Sequence, residues 1–184
     1  MRRAVTSALP WLAALAAFAS PARADLSGVS PSGFAINYRE EVKAAPDDAW
    51  KAIVQLPRWW NSLHSWSGQA ANMSLDAQAG GCWCERWGQG HSAQHGQVVL
   101  VQPGRVIRLS AALGPLQELA VNGVLTIAAG AGSGAEAGKN FLRISYRVSG
   151  DASAGLDRLA PAVDKVIAEQ FRRLKNLVET GTPE

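Results

Sequence analysis

Cysteine is scarce in this sequence of 184 residues, which contains only Cys82 and Cys84. A metal site needs more ligands nearby than two thiols, so we predict no metal centre. Two residues apart on a strand, both side chains point to one face, with Cα atoms about 6.5–7 Å apart. That separation is near or beyond the usual disulfide limit. We favour two buried thiols, and a strained disulfide or a redox role stays open.

The sequence also lacks the common catalytic patterns. The glycine-rich run from Gly130 to Gly134 is not followed by Gly-Lys-Ser/Thr, so it is not a phosphate-binding loop. No Ser-His-Asp arrangement accompanies a nucleophile elbow, and no pair of catalytic carboxylates stands out. We therefore expect no cofactor, and the pattern leans away from an enzyme without deciding the question.

Long apolar runs are missing except at the N-terminus, which has the features of a secretory signal peptide. Arg2 and Arg3 precede an apolar stretch over 4–18, and Ala22-Arg23-Ala24 is a small-x-small cleavage pattern. The stretch is short for a transmembrane anchor, which needs about 20 apolar residues. We expect a signal peptide over 1–24 cleaved after Ala24, a linker over 25–32, and a periplasmic or secreted domain over 33–180.

Positive charge does not exceed negative charge in the expected mature chain. The full sequence has 18 Lys and Arg against 15 Asp and Glu, and loss of Arg2, Arg3 and Arg23 leaves 15 of each. A chain without a basic face is not typical of nucleic-acid binders or of proteins held on anionic membranes. We predict neither a nucleic-acid partner nor stable membrane insertion after signal removal, and the sequence indicates no particular protein partner.

The order of elements predicts an α+β fold. A strand over 34–42 precedes a helix that opens at Pro46-Asp47-Asp48 and a short second helix or turn. Period-two segments cover about 72–77, 81–87, 94–102, 105–112, 119–128 and 140–149, and the low-complexity segment 129–139 is expected to be a mobile hairpin loop. A one-sided helix beginning near Ala160 ends the domain. The helix must lie against the concave face of an antiparallel sheet.

Several segments, taken together and in order, carry a resemblance to a known family: 42–50, Arg58-Trp59-Trp60, 80–85, 95–99, 104–109, Leu113-Gly114-Pro115-Leu116, 146–150 and 163–166. Over about residues 34–179 they resemble the START-like (SRPBCC, helix-grip) superfamily. The best resemblance is to an exported bacterial branch similar to activators of the Hsp90 ATPase and to polyketide cyclases. The resemblance implies a curved antiparallel sheet wrapped around a long C-terminal helix, with a cavity between them for hydrophobic molecules.

Candidate site residues are aromatic or polar groups that the fold places near this cavity. Alternation puts Trp83, Glu85 and Trp87 on one face of a strand. In an apolar pocket the pKa of Glu85 would rise, as suits an acid or base, although a solvent-facing or ion-paired Glu85 is the simpler interpretation. Glu85 and His95 are the candidate catalytic residues. The candidate ligand-binding residues are Trp59, Trp60, His64, Trp66, Trp83, Glu85, Trp87, Tyr146 and Gln170.

Three functions fit these features. The first is a periplasmic or secreted protein that binds a small hydrophobic ligand between sheet and helix. The second is a cyclase- or lyase-type enzyme that uses an acid–base residue in the same cavity. The third is a protein-interaction or chaperone-helper module with a filled core. The one-sided helix, the clustered tryptophans and the missing catalytic set favour the first.

Overall fold

A single antiparallel sheet and three helices make up the part of the chain that our computed structural model describes, residues 23–184. The strands are β1 (Arg23–Ser30), β2 (Gly33–Val42), β3 (Met73–Leu75), β4 (Cys82–Trp87), β5 (His91–Gln102), β6 (Val106–Ser110), β7 (Asn122–Ala131) and β8 (Asn140–Ser149). The helices are α1 (Pro46–Val54), α2 (Leu56–Trp59) and α3 (Leu156–Thr180). The predicted α+β helix-grip fold is confirmed.

The sheet order is β1-β2-β8-β7-β6-β5-β4-β3, and every neighbouring pair is antiparallel. The run from β3 to β8 is a meander, and β8 then pairs with β2, far earlier in the chain. Inward-facing residues alternate along β2 (Phe34, Ile36 and Tyr38), and all three are buried. This period-two pattern puts one face of the sheet in the core.

The helix α1 begins where the sequence indicated. Pro46 occupies the first turn after the extended residue Ala45, and Asp47 and Asp48 follow in that turn. Proline is preset for the first helical turn, and the two carboxylates interact favourably with the positive end of the helix dipole. Ala49, Ala52 and Ile53 face inward, so this short helix closes one end of the core.

Two predicted segments differ from the structure. Residues expected to be a linker over 25–32 instead form most of β1, whose Leu26 pairs with Ile36 and packs on the core. The expected loop over 129–139 is shorter in the structure, because β7 continues to Ala131, and Glu136 within the remaining loop forms an ion pair with Arg39. Composition did not reveal either feature because β1 and the end of β7 are defined by strand pairing and not by a strong apolar alternation. The predicted signal peptide over 1–24 lies outside the described residues, except for Arg23 and Ala24.

The helix α3 begins at Leu156, four residues earlier than expected, so that Pro161 lies inside it. Gly155 precedes the helix with a positive φ of 62°, and Gly181 follows it with a φ of 84°. The second half of α3 is packed against the sheet: Gln170, Phe171, Leu174 and Leu177 are buried. No helix among residues 23–184 is long and apolar enough to cross a membrane.

Candidate functional site

A cavity of about 450 Å³ lies beside the first half of α3, whose opposite side contacts the sheet through a hydrogen bond from Tyr38 of β2 to Asp164. Its walls come from α3, from the segment 60–66 that follows α2, and from the segment 113–116 between β6 and β7. Most of the lining is apolar. The lining residues are Trp60, Leu63, His64, Ser65, Trp66, His95, Leu113, Gly114, Pro115, Leu116, Leu159, Ala162, Val163, Val166 and Ile167.

The cavity has an apolar rim. Leu63 is 85% exposed and Trp66 is 46% exposed, although both belong to the cavity wall. Large apolar side chains that remain open to solvent next to a concave apolar surface are typical of binding sites. The rim therefore marks the open side of the cavity.

His95 is the polar group set into the inner wall. The pairing of β4 with β5 matches Trp83 with Gly96 and Cys84 with Gln94, so His95 is the extra residue of a β-bulge. A bulge re-aims side chains relative to regular alternation. His95 is 4% exposed, and its ring stacks on Trp83 with centroids 5.1 Å apart. The bulge and the stacking together fix the imidazole at the cavity surface.

Glu85 lies behind His95 and not in the cavity wall. Its carboxylate is fully buried and accepts hydrogen bonds from His95 Nε2 at 2.7 Å, Ser67 N at 2.7 Å and Trp66 N at 3.0 Å. Burial raises the pKa of this carboxyl, but the hydrogen bonds from Ser67, His95 and Trp66 together outweigh it and hold the pKa below its usual value. The rise in pKa that an apolar pocket would have caused does not occur, because Glu85 lies behind the cavity wall among hydrogen-bond donors.

A second histidine–carboxylate pair lies at the rim of the cavity. His64 Nε2 lies 3.0 Å from Glu169 Oε2 on α3, and the amide of Asn61 donates to the other carboxylate oxygen. Burial raises the pKa of Glu169, but the hydrogen bonds of Asn61 and His64 and the nearby positive charge lower it overall. Both side chains of this pair are about one-third exposed, so water screens it far more than the Glu85–His95 pair.

Buried polar groups hold the segment 60–66 against the rest of the domain. The backbone N–H of Asn61 donates to Gln170 Oε1 at 2.8 Å, and the indole of Trp60 donates to the His64 carbonyl at 2.9 Å. Glu85 holds the far end of the segment through the N–H groups of Trp66 and Ser67. These contacts tie one cavity wall to both α3 and the sheet.

The opposite wall is anchored by Tyr146. Its hydroxyl donates to the Ala111 carbonyl at 2.9 Å and accepts from the Leu113 N–H at 3.0 Å. The side chain is fully buried, and burial raises the pKa of the phenol. Tyr146 thus fixes the start of the 113–116 segment from behind, without facing the cavity.

The candidate ligand-binding and catalytic residues separate into two groups. Trp60, His64, Trp66 and His95 line the cavity. The others do not face it: Trp59, Trp83, Glu85, Tyr146 and Gln170 are fully buried behind the walls, and Trp87 stacks on His91 instead. Several of the polar and aromatic residues proposed from the sequence therefore support the walls of the cavity and do not line it.

Some cavity and wall residues were not anticipated. Glu169 and Asn61 form the support of His64, and Leu159, Val163 and Val166 provide the helical wall. The helical residues were visible as an apolar stripe, yet the stripe alone did not show which of its members border a cavity. His64 and Glu169 are 105 residues apart in the sequence, so no local pattern predicts their pairing.

Cys82 and Cys84 form a disulfide in the structure, with Cα atoms 5.3 Å apart. The expectation of two thiols is therefore wrong. The ladder between β4 and β5 is interrupted between Trp83 and Cys84, where the strand is less extended than the regular geometry that gave the longer separation. Within residues 23–184, no cluster of three or more His, Cys, Asp or Glu side chains has an arrangement suited to a metal ion.

Comparison with solved structures identifies the architecture, whereas no family model and no curated protein matches the sequence. A conserved protein of unknown function from Enterococcus faecalis aligns at 10% identity with a TM-score of 0.55, over 86% of this chain and 78% of its own. The chain has the START-like, helix-grip fold. At these identities, the similarity establishes the fold alone.

Two further structures with this fold are of proteins that have names. The Aha1 dimer from Colwellia psychrerythraea aligns at 16% identity with a TM-score of 0.51, over 80% of this chain and 97% of its own. A norcoclaurine synthase point mutant from Thalictrum flavum, in complex with a transition-state analogue, aligns at 15% identity with a TM-score of 0.50, over 79% and 94%. The predicted START-like resemblance is confirmed at the level of the fold.

Proposed function

We propose that this protein binds a small, largely apolar molecule in the cavity between α3 and the sheet. The observation that carries the proposal is the cavity itself: about 450 Å³ of space with apolar walls inside an otherwise close-packed domain. Volumes of about 300–1,000 Å³ are typical of sites for small molecules. Apolar surface that moves from water into such a space supplies the main favourable free energy of binding.

The walls are suited to binding because they are built in advance. Gln170, Glu85 and Tyr146 hold the two wall segments through buried hydrogen bonds. A site that is ordered before binding avoids most of the entropy cost of ordering its loops. The ligand therefore meets a formed cavity, and the exposed rim at Leu63 and Trp66 provides the entry.

We further propose that the protein works outside the cytosol. The disulfide between Cys82 and Cys84 supports this location, since disulfides persist in the periplasm and outside the cell and are rare in the cytosol of most organisms. The signal sequence predicted over 1–24 agrees with it. Cleavage after Ala24 would leave the pairs from Asp25 to Ser30 of β1 in place on β2.

An acid–base enzyme acting in the same cavity is the second candidate. The buried Glu85–His95 pair favours it, because a carboxylate that orients an imidazole is an arrangement used in general acid–base catalysis. The norcoclaurine synthase structure is a named enzyme with this fold. Both candidate functions require a small molecule to bind in the cavity, so one binding experiment tests this shared requirement.

The test is a titration with the apolar dye N-phenyl-1-naphthylamine, excited directly at a wavelength that tryptophan does not absorb. We expect saturable enhancement of dye emission with the wild-type protein. Val163→Trp places a large side chain in the cavity and should abolish the enhancement. Lys165→Trp puts the same side chain on the exposed side of α3 and should leave it unchanged.

Thermal unfolding of both variants serves as the folding control. If Val163→Trp unfolds at low temperature, Val166→Phe fills the same wall with a smaller change. Wild-type protein that does not enhance dye emission, or a folded Val163→Trp protein that binds as wild type does, would contradict the proposed site.

A further inference from the structure

We infer that the ligand carries a hydroxyl group, as in a phenol or another hydroxylated apolar molecule, and that the hydroxyl donates to Nδ1 of His95. The inference rests on the proposed function and assigns the ligand's chemistry within that site. Glu85 is a positioning residue that acts through His95. Three properties of the inner wall lead to it: the protonation of Glu85, the tautomer of His95, and the surroundings of Nδ1.

The first property is that Glu85 acts only as an acceptor. Two of its three partners are backbone N–H groups, of Trp66 at 3.0 Å and Ser67 at 2.7 Å, and a backbone N–H has no alternative to donating. These bonds favour the ionised carboxylate, and the pKa of Glu85 lies below its usual value. Glu85 therefore carries no proton that it could give to His95.

The second property follows from the first. Because the carboxylate only accepts, the hydrogen bond at 2.7 Å between Glu85 Oε2 and His95 Nε2 requires the proton on Nε2. In the neutral imidazole the other nitrogen, Nδ1, then has a free lone pair and accepts hydrogen bonds. The stacking of the ring on Trp83 holds this lone pair in one direction.

The third property is that Nδ1 faces the cavity. His95 lines the cavity, while Glu85, on the Nε2 side of the ring, does not. Within residues 23–184 the ring has no protein hydrogen bond except that to Glu85. Among the described residues, the side-chain nitrogen and oxygen atoms that are both fully enclosed and without a hydrogen-bond partner are Trp83 Nε1 and Gln170 Nε2. Nδ1 of His95 also has no partner but is absent from this set, so it is not fully enclosed. Nδ1 of His95 is therefore accessible from the cavity.

These three properties favour a ligand that carries a hydrogen-bond donor. A polar atom at an apolar, dehydrated wall costs free energy unless it is paired. A ligand with a hydroxyl satisfies Nδ1, whereas an ether or hydrocarbon of the same shape displaces water and leaves Nδ1 unpaired. A site of this kind discriminates against the analogue without the donor. His64 adds little discrimination because its side chain is about one-third exposed and therefore hydrated.

The experiment compares three probes with one ring system: 2-naphthol, 2-methoxynaphthalene and 2-naphthoate. We expect wild-type protein to bind 2-naphthol about tenfold more tightly than 2-methoxynaphthalene, the worth of one hydrogen bond at a buried site. 2-Naphthoate should bind more weakly than 2-naphthol near neutral pH, because an acceptor lone pair repels a carboxylate.

His95→Gln is the informative variant. A glutamine amide extends to the position of Nε2 and can still donate to Glu85, but it places nothing at the position of Nδ1. We expect this variant to lose the tenfold preference for 2-naphthol while its affinity for 2-methoxynaphthalene stays within about twofold. His91→Gln changes an exposed histidine that does not line the cavity, and it should behave as wild type.

The fluorescence of bound 2-naphthol distinguishes a direct contact with His95 from a purely structural role of this residue, because a structural role would leave the emission unchanged. Excited 2-naphthol is a strong acid and transfers its proton to a hydrogen-bonded base, with emission at the longer wavelength of the naphtholate. Bound to wild-type protein it should emit as naphtholate, and bound to His95→Gln as neutral naphthol. The same emission in both proteins would overturn the assigned contact.

The outcomes separate this inference from the proposed function. If none of the three probes and no apolar dye binds, the cavity is not a binding site and both fail. If 2-naphthol and 2-methoxynaphthalene bind equally well to wild-type protein, the binding function stands and the hydroxyl inference is wrong. Tighter binding of 2-naphthoate than of 2-naphthol would also overturn it, because it would require a protonated Nδ1.

Discussion

Replacement of Glu85 by glutamine tests how the inner wall is held together. Glu85 Oε2 accepts from Trp66 N and His95 Nε2, and Oε1 accepts from Ser67 N. Glutamine keeps one acceptor oxygen. In its best orientation that oxygen takes the position of Oε2, and the new amide N–H₂ then faces the Ser67 N–H. One buried donor loses its partner, and two hydrogen bonds lose the carboxylate charge.

The expected loss of stability is about 3 kcal/mol at pH 7, since a hydrogen bond to a charged group contributes about 1.5–3 kcal/mol and an unpaired buried donor costs about 1–3 kcal/mol. The pKa of Glu85 is lowered from 4.5 in the folded protein. A lowered carboxyl pKa contributes stability that is complete above the unfolded-state pKa and is lost as pH falls through the folded-state pKa. The difference between wild type and variant should therefore shrink below about pH 4.5.

Urea unfolding followed by tryptophan fluorescence measures this difference at pH 7 and between about pH 5 and pH 3. Glu118→Gln is the matched control, because Glu118 is exposed, and its effect should stay within about 0.5 kcal/mol. A Glu85→Gln protein as stable as the Glu118→Gln protein at pH 7 would refute the reasoning. So would a difference that grows as the pH falls.

Two other changes test the packing of α3 and the cysteine pair. Leu174→Ala, in the packed half of the helix, should cost about 3 kcal/mol in urea unfolding, whereas Leu159→Ala, which faces the cavity, should cost less than half as much. Equal costs would mean that Leu159 does not border a cavity. Replacement of Cys82 and Cys84 together by alanine should cost about 1.5 kcal/mol, as the short loop that they close implies. Alkylation of the unreduced, urea-unfolded wild-type protein checks the bond, and modification of both cysteines would contradict it.

Most of the fold could be predicted from the sequence because its signals are local. The alternation of Phe34, Ile36 and Tyr38 indicated a half-buried strand, and the proline and acids at Pro46 marked the first turn of α1. The apolar stripe of α3 predicted a helix against a sheet. The strand β1 was missed because its polar residues carry little alternation, and its pairing with β2 defines it.

The site was less predictable because its geometry depends on distant contacts. Alternation correctly put Trp83 and Glu85 on one face, but it did not show that the N–H groups of Trp66 and Ser67 fold over the carboxylate and reverse the shift of its pKa. The bulge that turns His95 inward depends on the register between two strands. Neither feature has a local pattern from which it follows.

The central claim is that a ligand occupies the space between α3 and the sheet, and a crystal structure of the protein with bound N-phenyl-1-naphthylamine tests it most directly. We predict density for the dye in contact with Trp60, Leu116 and Val163, next to the ring of His95. Density for the dye elsewhere on the protein, with side chains filling the space beside Val163, would contradict the claim.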